Sequence, residues 1–278
     1  MRLLLALVLL APPTPDADQD GLADALEQTL LAQFAPRFLI SPHDCDGKPA
    51  EFEPDRPAPA VKARNGVIYT QAFPLPGGIE LHYYHLWARD CGRNGHALDP
   101  EHVSVFLIED QGQWRARYHY AAAHEDTACD RGTAVRASTQ FAEWRGVEVW
   151  ISHGKHASFL SPDHCGRLGC GSDRCDKPDR LLVPRLINLG EPGRPLHGSV
   201  WAASPLWPLA AKMQSDFPPS LRAQLDQSPG VILAVTPNYV AQPVALAASK
   251  TLDSLSLANK KTESALIKAK RWVKKRLD

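Results

Sequence analysis

The sequence predicts a mainly β protein of antiparallel strands with an N-terminal helix and a long C-terminal helix. Three observations lead there. Twenty-four prolines and 18 glycines cut the 278 residues into short segments, which suits a loop-rich β protein better than a helix bundle. Residues 103–108 and 114–120 flank the turn Asp110-Gln111-Gly112-Gln113 and read as a β-hairpin. Helical spacing of apolar residues is clearest near the two ends of the chain.

In order, residues 1–11 carry a basic residue and a short leucine-rich run, the pattern of a secretory segment too short to anchor in a bilayer. Residues 1–15 are therefore taken as signal-like, 16–34 as a calcium-type loop and helix, 35–240 as the β domain, and 241–278 as an amphipathic basic helix. Residues 16–27 fit the pattern D-x-D-x-D-G-x5-E at every position. Asp16, Asp18, Asp20 and Asp24 would point inward, Leu22 would offer its carbonyl, and Glu27 would close a Ca²⁺ site. The plain alternative is an acidic helix start, favoured by the helix dipole alone. Leu22, Leu26, Leu30 and Phe34 then share one helical face that must stop before Pro36.

Strands follow at residues 37–41, 66–73 and 79–87. In the last of these Leu81, Tyr83, His85 and Trp87 share one face, while His82 and Tyr84 share the other. After the hairpin come strands at 147–151, 181–189 and 231–235, with a short helix expected within 205–221. From Val244 onward Leu252, Leu255, Leu266, Ala269 and Val273 mark a long helix, basic from Lys268 to Arg276 around Trp272. Its end suits either solvent or peripheral contact with a membrane surface.

Lys plus Arg equals Asp plus Glu at 31 each, so no overall field favours nucleic acid. Six cysteines, at 45, 91, 129, 165, 170 and 175, suit disulfides in a secreted or periplasmic protein. Their pairing is open among 15 possibilities, and one of the last three must pair outside its own loop or stay free.

The stretch Gly95-His96-Ala97-Leu98-Asp99-Pro100-Glu101-His102 is a polar loop running into the first hairpin strand. With Asp90 it offers Asp90, His96, Asp99 and Glu101, three carboxylates and an imidazole suited to Ca²⁺, Mg²⁺, Mn²⁺ or Zn²⁺. Folding the hairpin back brings His124 toward that loop, and His153 and His156 follow another strand end. These three histidines are the candidate proton carriers should there be chemistry.

Several of these segments resemble known families. Phe34-Ala-Pro-Arg-Phe38 and Glu51-Phe-Glu-Pro54 resemble the opening of the vacuolar protein sorting-associated protein 62 family, and residues 152–159 resemble its G-S-H-A-x-Y segment. Gly95 to Glu101 is similar to the G-H-R-H-D-W-E heptad of the necrosis- and ethylene-inducing-peptide-like cytolysins, with His124 like their downstream histidine. The resemblance implies a β-sandwich whose loops hold a divalent cation at Asp90, His96, Asp99 and Glu101. In those cytolysins the pocket recognises a membrane sphingolipid head group. Ala97, Leu98 and Pro100 depart from the heptad but spare the ligand positions.

Three functions are then expected in turn. The first is an exported metal-binding sandwich recognising a glycan or lipid head group. The second is a metal-dependent hydrolase, although neither G-x-S-x-G nor H-E-x-x-H is present and the balance leans away from an enzyme. The third is a surface protein that calcium and disulfides merely stabilise.

Overall fold

The structure, a computed structural model, describes residues 15–92, 95–125, 129–137, 146–170, 173–175, 180–182, 185–207, 209–228, 230 and 232–233. The leucine-rich segment of residues 1–11 and the expected basic C-terminal helix lie outside those residues.

Helix α1 spans Asp24–Gln33 and ends ahead of Pro36, as its apolar spacing predicts. Strand β1 (Arg37–Ile40) follows, and the loop after it contains a small hairpin of β2 (Glu51–Phe52) and β3 (Val61–Ala63). Then come five longer or central strands: β4 (Val67–Leu75), β5 (Gly78–Arg89), β6 (Ala97–Asp110), β7 (Gln113–Ala121) and β8 (Thr133–Arg136). Gln111 and Gly112 sit at φ 53° and 76° between β6 and β7, the two positive φ values that a tight hairpin turn demands. Next are β9 (Glu148–Ile151), β10 (Ser158–Phe159), helix α2 (Pro162–Leu168), β11 (Arg180–Leu182), β12 (Arg185–Asn188) and the pair β13 (Gly190–Glu191) and β14 (Arg194–Pro195). Short 3-10 turns lead to helix α3 (Pro219–Gln227) and β15 (Ile232–Leu233).

Two sheets make the sandwich. The large one has the order β12-β4-β5-β6-β7-β8-β15 and the small one β10-β9-β1-β11. Most pairs are antiparallel as expected, but β1 with β9 and β4 with β12 are parallel. Between the sheets Phe38, Ile40, Val149 and Ile151 meet Ile68, Leu81, Tyr83, Val103 and Val105 in one core, with α1 adding Leu30 and Leu31. Burying each such side chain is worth about 1.5–3 kcal/mol.

The other face of the large sheet is covered as well. Trp201, Trp207, Leu209 and Met213 pack on Tyr69, Tyr84 and Leu86, while Phe217, Leu221 and Leu225 pack on Phe106, Tyr118 and Tyr120. Consequently β5 is buried on both faces from Ile79 to Trp87. The helix expected within 205–221 is the 3-10 turn Leu209–Lys212 followed by α3, which begins only at Pro219.

One expectation is corrected here. Residues 97–102 are not loop but the first part of β6, with Trp87 paired to Asp99 and His85 to Glu101. Their polar side chains hid a strand because they are polar groups buried in pairs, which a period-two apolar pattern does not report.

Candidate functional site

At one end of the inter-sheet space the inward residues change from apolar to ionisable. Strand β5 presents His85 and Trp87, and β6 presents Asp99 and Glu101 opposite them. The loop after β9 turns back on itself, Ser152 N–H donating to Ala157 C=O, and places His156 at φ 56° over the same point. His156 donates from Nδ1 to Asp99 Oδ2 at 2.8 Å and from Nε2 to Asp44 Oδ1 at 3.1 Å. Its ring lies flat on Trp87, with centroids 3.9 Å apart and planes within 8°. Burial works against the charged imidazole, but the bonds to Asp44 and Asp99 hold its pKa up at about 9. For Asp44 burial is outweighed by His156 and by backbone donors, which bring its pKa down to about 2. The result is a buried carboxylate–imidazolium–carboxylate bridge.

Next to it, Trp87 Nε1–H donates to His85 Nδ1 at 2.8 Å. An indole nitrogen can only donate, so Nδ1 carries the lone pair and the proton sits on Nε2. That proton faces Ser158 Oγ at 2.7 Å. His85 therefore cannot take a proton from Ser158, and both side chains are fully buried. Burial also drives the His85 pKa well below its usual value, aided by the nearby His156 and His102. Glu101 is pushed the other way: burial, then the Asp99 charge, raise it far above the carboxylate range.

The four residues expected to share one cation are not gathered on one point. Asp99 is committed to His156, and Glu101 lies beside it on the strand face. Asp90 turns its carboxylate to the Gly92 N–H, and exposed His96 contacts only the carbonyl of Ala97 among the described bonds. Among the described residues, no grouping of donor atoms close enough for a metal includes Asp90, His96 or Glu101. The physical reason is the early start of β6, which divides the four between an exposed loop and a buried strand. At Asp99 the positive charge is supplied by an imidazolium of the chain itself.

The three candidate histidines are also kept apart. His124 meets Asp173 at 2.8 Å rather than the 90–101 stretch. Asp173 also accepts from Ser152 Oγ at 2.7 Å, and despite its burial the His124 charge helps hold it well below its usual range. His153 donates to the carbonyl of His43 at 2.7 Å. Asp44 and Asp173 were not singled out by sequence reasoning; only the neighbouring cysteines mark their loops. All three disulfides form, as Cys45–Cys91, Cys129–Cys170 and Cys165–Cys175, so Cys170 is the one that pairs outside its loop.

The acidic loop before α1 has the opposite character: its carboxylates converge, and several of their oxygens lack a donor. Gly21 (φ 99°) permits the turn, Leu22 N–H donates to Asp20 Oδ1 at 2.6 Å, and Ala17 N–H donates to Asp24 Oδ1 at 2.8 Å. Asp16, Asp18 and Asp24 bring donor oxygens within 4.8 Å of one another, and so do Asp18, Asp20 and Glu27. Asp16 Oδ1, both oxygens of Asp18, Asp20 Oδ2 and Glu27 Oε2 are buried without a hydrogen-bond donor. Burial, reinforced by mutual repulsion, raises Asp18 to about 6 and Glu27 to about 8. Asn188 Nδ2 reaches Glu27 Oε1 at 3.5 Å, linking the loop to β12.

Asn188 also lines a cavity of about 370 Å³, shared with Phe52, Tyr69, Lys62, Arg185 and Gln28. Glu51 holds Lys62 at 3.1 Å and Arg185 at 2.5 Å on its rim. Aromatic walls with a few placed charges are the usual lining of a small-ligand site.

No family model matches the sequence, and no curated protein matches it. Solved structures similar to it include NLPPya in complex with mannosamine, at 17% identity and TM-score 0.38, covering 69% of this chain and 82% of that one. Another is Necrosis and Ethylene inducing Protein 2 from the causal agent of cocoa's Witches Broom disease, at 18% identity and TM-score 0.34, covering 64% and 81%. At these scores the likeness transfers neither a site nor an activity.

Proposed function

We propose that the protein is an exported, calcium-binding β-sandwich that recognises a glycan or lipid head group in the cavity beside its calcium loop. The observation that carries this is the set of buried, donorless oxygens on Asp16, Asp18, Asp20 and Glu27. Unpaired buried carboxylates are costly, and an all-oxygen set of this size suits Ca²⁺. Asp24 and the Leu22 carbonyl complete the expected ligand positions. Because Asn188 touches Glu27 and also lines the cavity, ion and ligand would share a wall. Lys62 and Arg185 favour hydroxyl-rich or anionic groups there. Export is supported by the three disulfides. No helix among the described residues is long and apolar enough to cross a membrane.

Binding is favoured over hydrolysis by the state of the histidines: His156 is tied between two carboxylates, and His85 has its proton toward the Ser158 hydroxyl. The test is a glycan array and a lipid head-group array, each run with Ca²⁺ and with a calcium chelator. A ligand retained only with Ca²⁺, and weakened about tenfold or more in Arg185→Ala, is the expected result. Calcium-dependent melting with no ligand on either array would leave a calcium-stabilised surface protein instead. Turnover of an ester or phosphoester panel, lost in His156→Gln, would overturn the binding reading.

A further inference from the structure

The covered outer face of the large sheet holds a second group of ionisable side chains, far more ordered than solvation would require. His82 on β5 and His102 on β6 stack with ring centroids 5.4 Å apart and planes within 10°. Asp216, from the covering segment just before α3, brings Oδ2 to 2.9 Å from His102 Nε2 and 3.8 Å from His82 Nε2. The donor atoms of these three residues all lie within 4.8 Å of one another. Both histidines are essentially fully buried, and the Asp216 side chain is 11% exposed.

The tautomer of His82 follows from its neighbours. Gln71 Nε2 donates to Glu191 at 3.0 Å, which turns Gln71 Oε1 toward Tyr84, and the Tyr84 hydroxyl donates to it at 3.0 Å. Its single proton being spent, the Tyr84 oxygen can only accept from His82 Nδ1, 2.9 Å away. In the neutral ring Nε2 then carries a lone pair, yet it points at Glu80 Oε1, 2.7 Å away, and toward Asp216. Glu80 already accepts from the Asp216 N–H and from Ser215 Oγ, and a lone pair facing two ionised carboxylates needs a proton or a cation between them. Protonating both His82 and His102 would supply it, at the cost of two stacked imidazoliums in one buried space.

We propose that His82 Nε2, His102 Nε2 and Asp216 Oδ2 bind a zinc-class divalent ion, with Glu80 or water as fourth ligand, pinning the covering segment to the sheet. Two imidazoles with carboxylate suit Zn²⁺ rather than Ca²⁺. Tetrahedral ligands at about 2.0–2.1 Å are roughly 3.3 Å apart, a spacing that 2.9 and 3.8 Å bracket. The supporting contacts also fit. Tyr84 accepts from His82 Nδ1, Glu125 Oε2 lies 3.3 Å from His102 Nδ1, and Ser104 Oγ donates to Asp216 Oδ2 at 2.5 Å. The two histidines arise from different strands, and Asp216 lies more than a hundred positions further on, so no spacing motif announces them. Protons are the rival occupant: burial depresses His102, but Glu125 and Asp216 raise its pKa to about 10 when no metal is there.

The experiment is metal analysis of the full chain after purification and desalting with Zn²⁺ present, together with anomalous scattering at the zinc edge. About one zinc per chain, with its peak between His82, His102 and Asp216, is expected, as is visible absorption of a tetrahedral site on Co²⁺ replacement. His82→Gln and Asp216→Asn should each lose the metal. Tyr84→Phe, which leaves the three ligands in place while removing the contact to His82 and the bonds to Gln71 and the Lys212 carbonyl, should fold and bind about tenfold more weakly or worse. A chain that takes up no zinc or cobalt overturns the proposal in favour of the proton-bridged network. So does zinc retained unchanged in both ligand variants, or zinc whose affinity does not respond to Tyr84→Phe. Glu27→Gln, in the calcium loop, should leave zinc content unchanged, which separates this site from the calcium reading.

Discussion

An imidazolium buried against tryptophan survives only because two carboxylates hold it, and that makes His156 a pH-dependent fastening. Its folded pKa of about 9 lies above the ordinary value of about 6.5, so its contribution is complete below pH 6.5 and disappears as pH rises through 9. Asp44, brought down to about 2, contributes above its usual value near 3.9 and is lost as pH falls through 2. With Ca²⁺ saturating, stability by denaturant titration should therefore plateau between about pH 4 and 6.5 and decline toward pH 9. His156→Gln should flatten that alkaline decline and cost about 3–5 kcal/mol at pH 6, because it leaves two buried carboxylates without their cation. An alkaline limb that keeps its slope in the variant would remove His156 as its cause. Glu27 acts in the same direction, over a lower range of pH and in the metal-free protein. Its pKa is raised to about 8 without metal, so the metal-free protein loses stability as pH climbs from about 4.5 to 8. The Ca²⁺-induced rise in melting temperature should thus grow over that interval. Glu27→Gln should abolish it while making the metal-free protein more stable than its parent at pH 8, a pair of results that an acidic helix start cannot give.

Elements were legible wherever one face was plainly apolar. Leu81, Tyr83, His85 and Trp87 do share the inner face of β5, and Gln111-Gly112 does make the hairpin turn. The start of β6 was not legible, since Asp99, Glu101 and His102 look solvent-loving until their buried partners on other elements are known. The same blindness hid the covering segment, whose Trp201, Trp207 and Phe217 follow no regular period. The convergence of the acidic loop's carboxylates was readable because they lie within twelve consecutive residues; the inter-sheet bridge joins Asp44, Asp99 and His156 from three distant segments. Cys45–Cys91 ties the first of these segments to the end of β5, one residue from Asp44. Its separation of 46 residues makes the chain-entropy contribution about 4 kcal/mol. Replacing both cysteines by serine should cost stability of that order and, by loosening Asp44, lower the His156 pKa. Imidazole titration followed by NMR measures the second effect, and an unchanged pKa would show that the disulfide does not position Asp44.

At the scale of the whole molecule, the large sheet is a wall finished on both sides by different means. Its inner side rests on the small sheet and α1, held near the rim by the acidic loop and by Asn188 of β12. Its outer side rests under a segment with little regular structure, whose aromatic contacts and the Asp216 cluster are what keep it down. A cover with few backbone ladders of its own should be the less cooperative part. The two proposed ions would then govern separate properties. A calcium-selective chelator should lower the melting temperature by an amount set by ion concentration over dissociation constant, about 2.7 kcal/mol at a hundredfold excess. It should leave the near-ultraviolet signal of the stacked Trp201–Trp207 pair unchanged. A zinc-selective chelator should alter that signal, identified by its loss in Trp207→Phe, and speed amide exchange across residues 199–227 before global unfolding. Should either chelator produce both effects together, the two faces are one cooperative unit, and the division of labour between them is wrong.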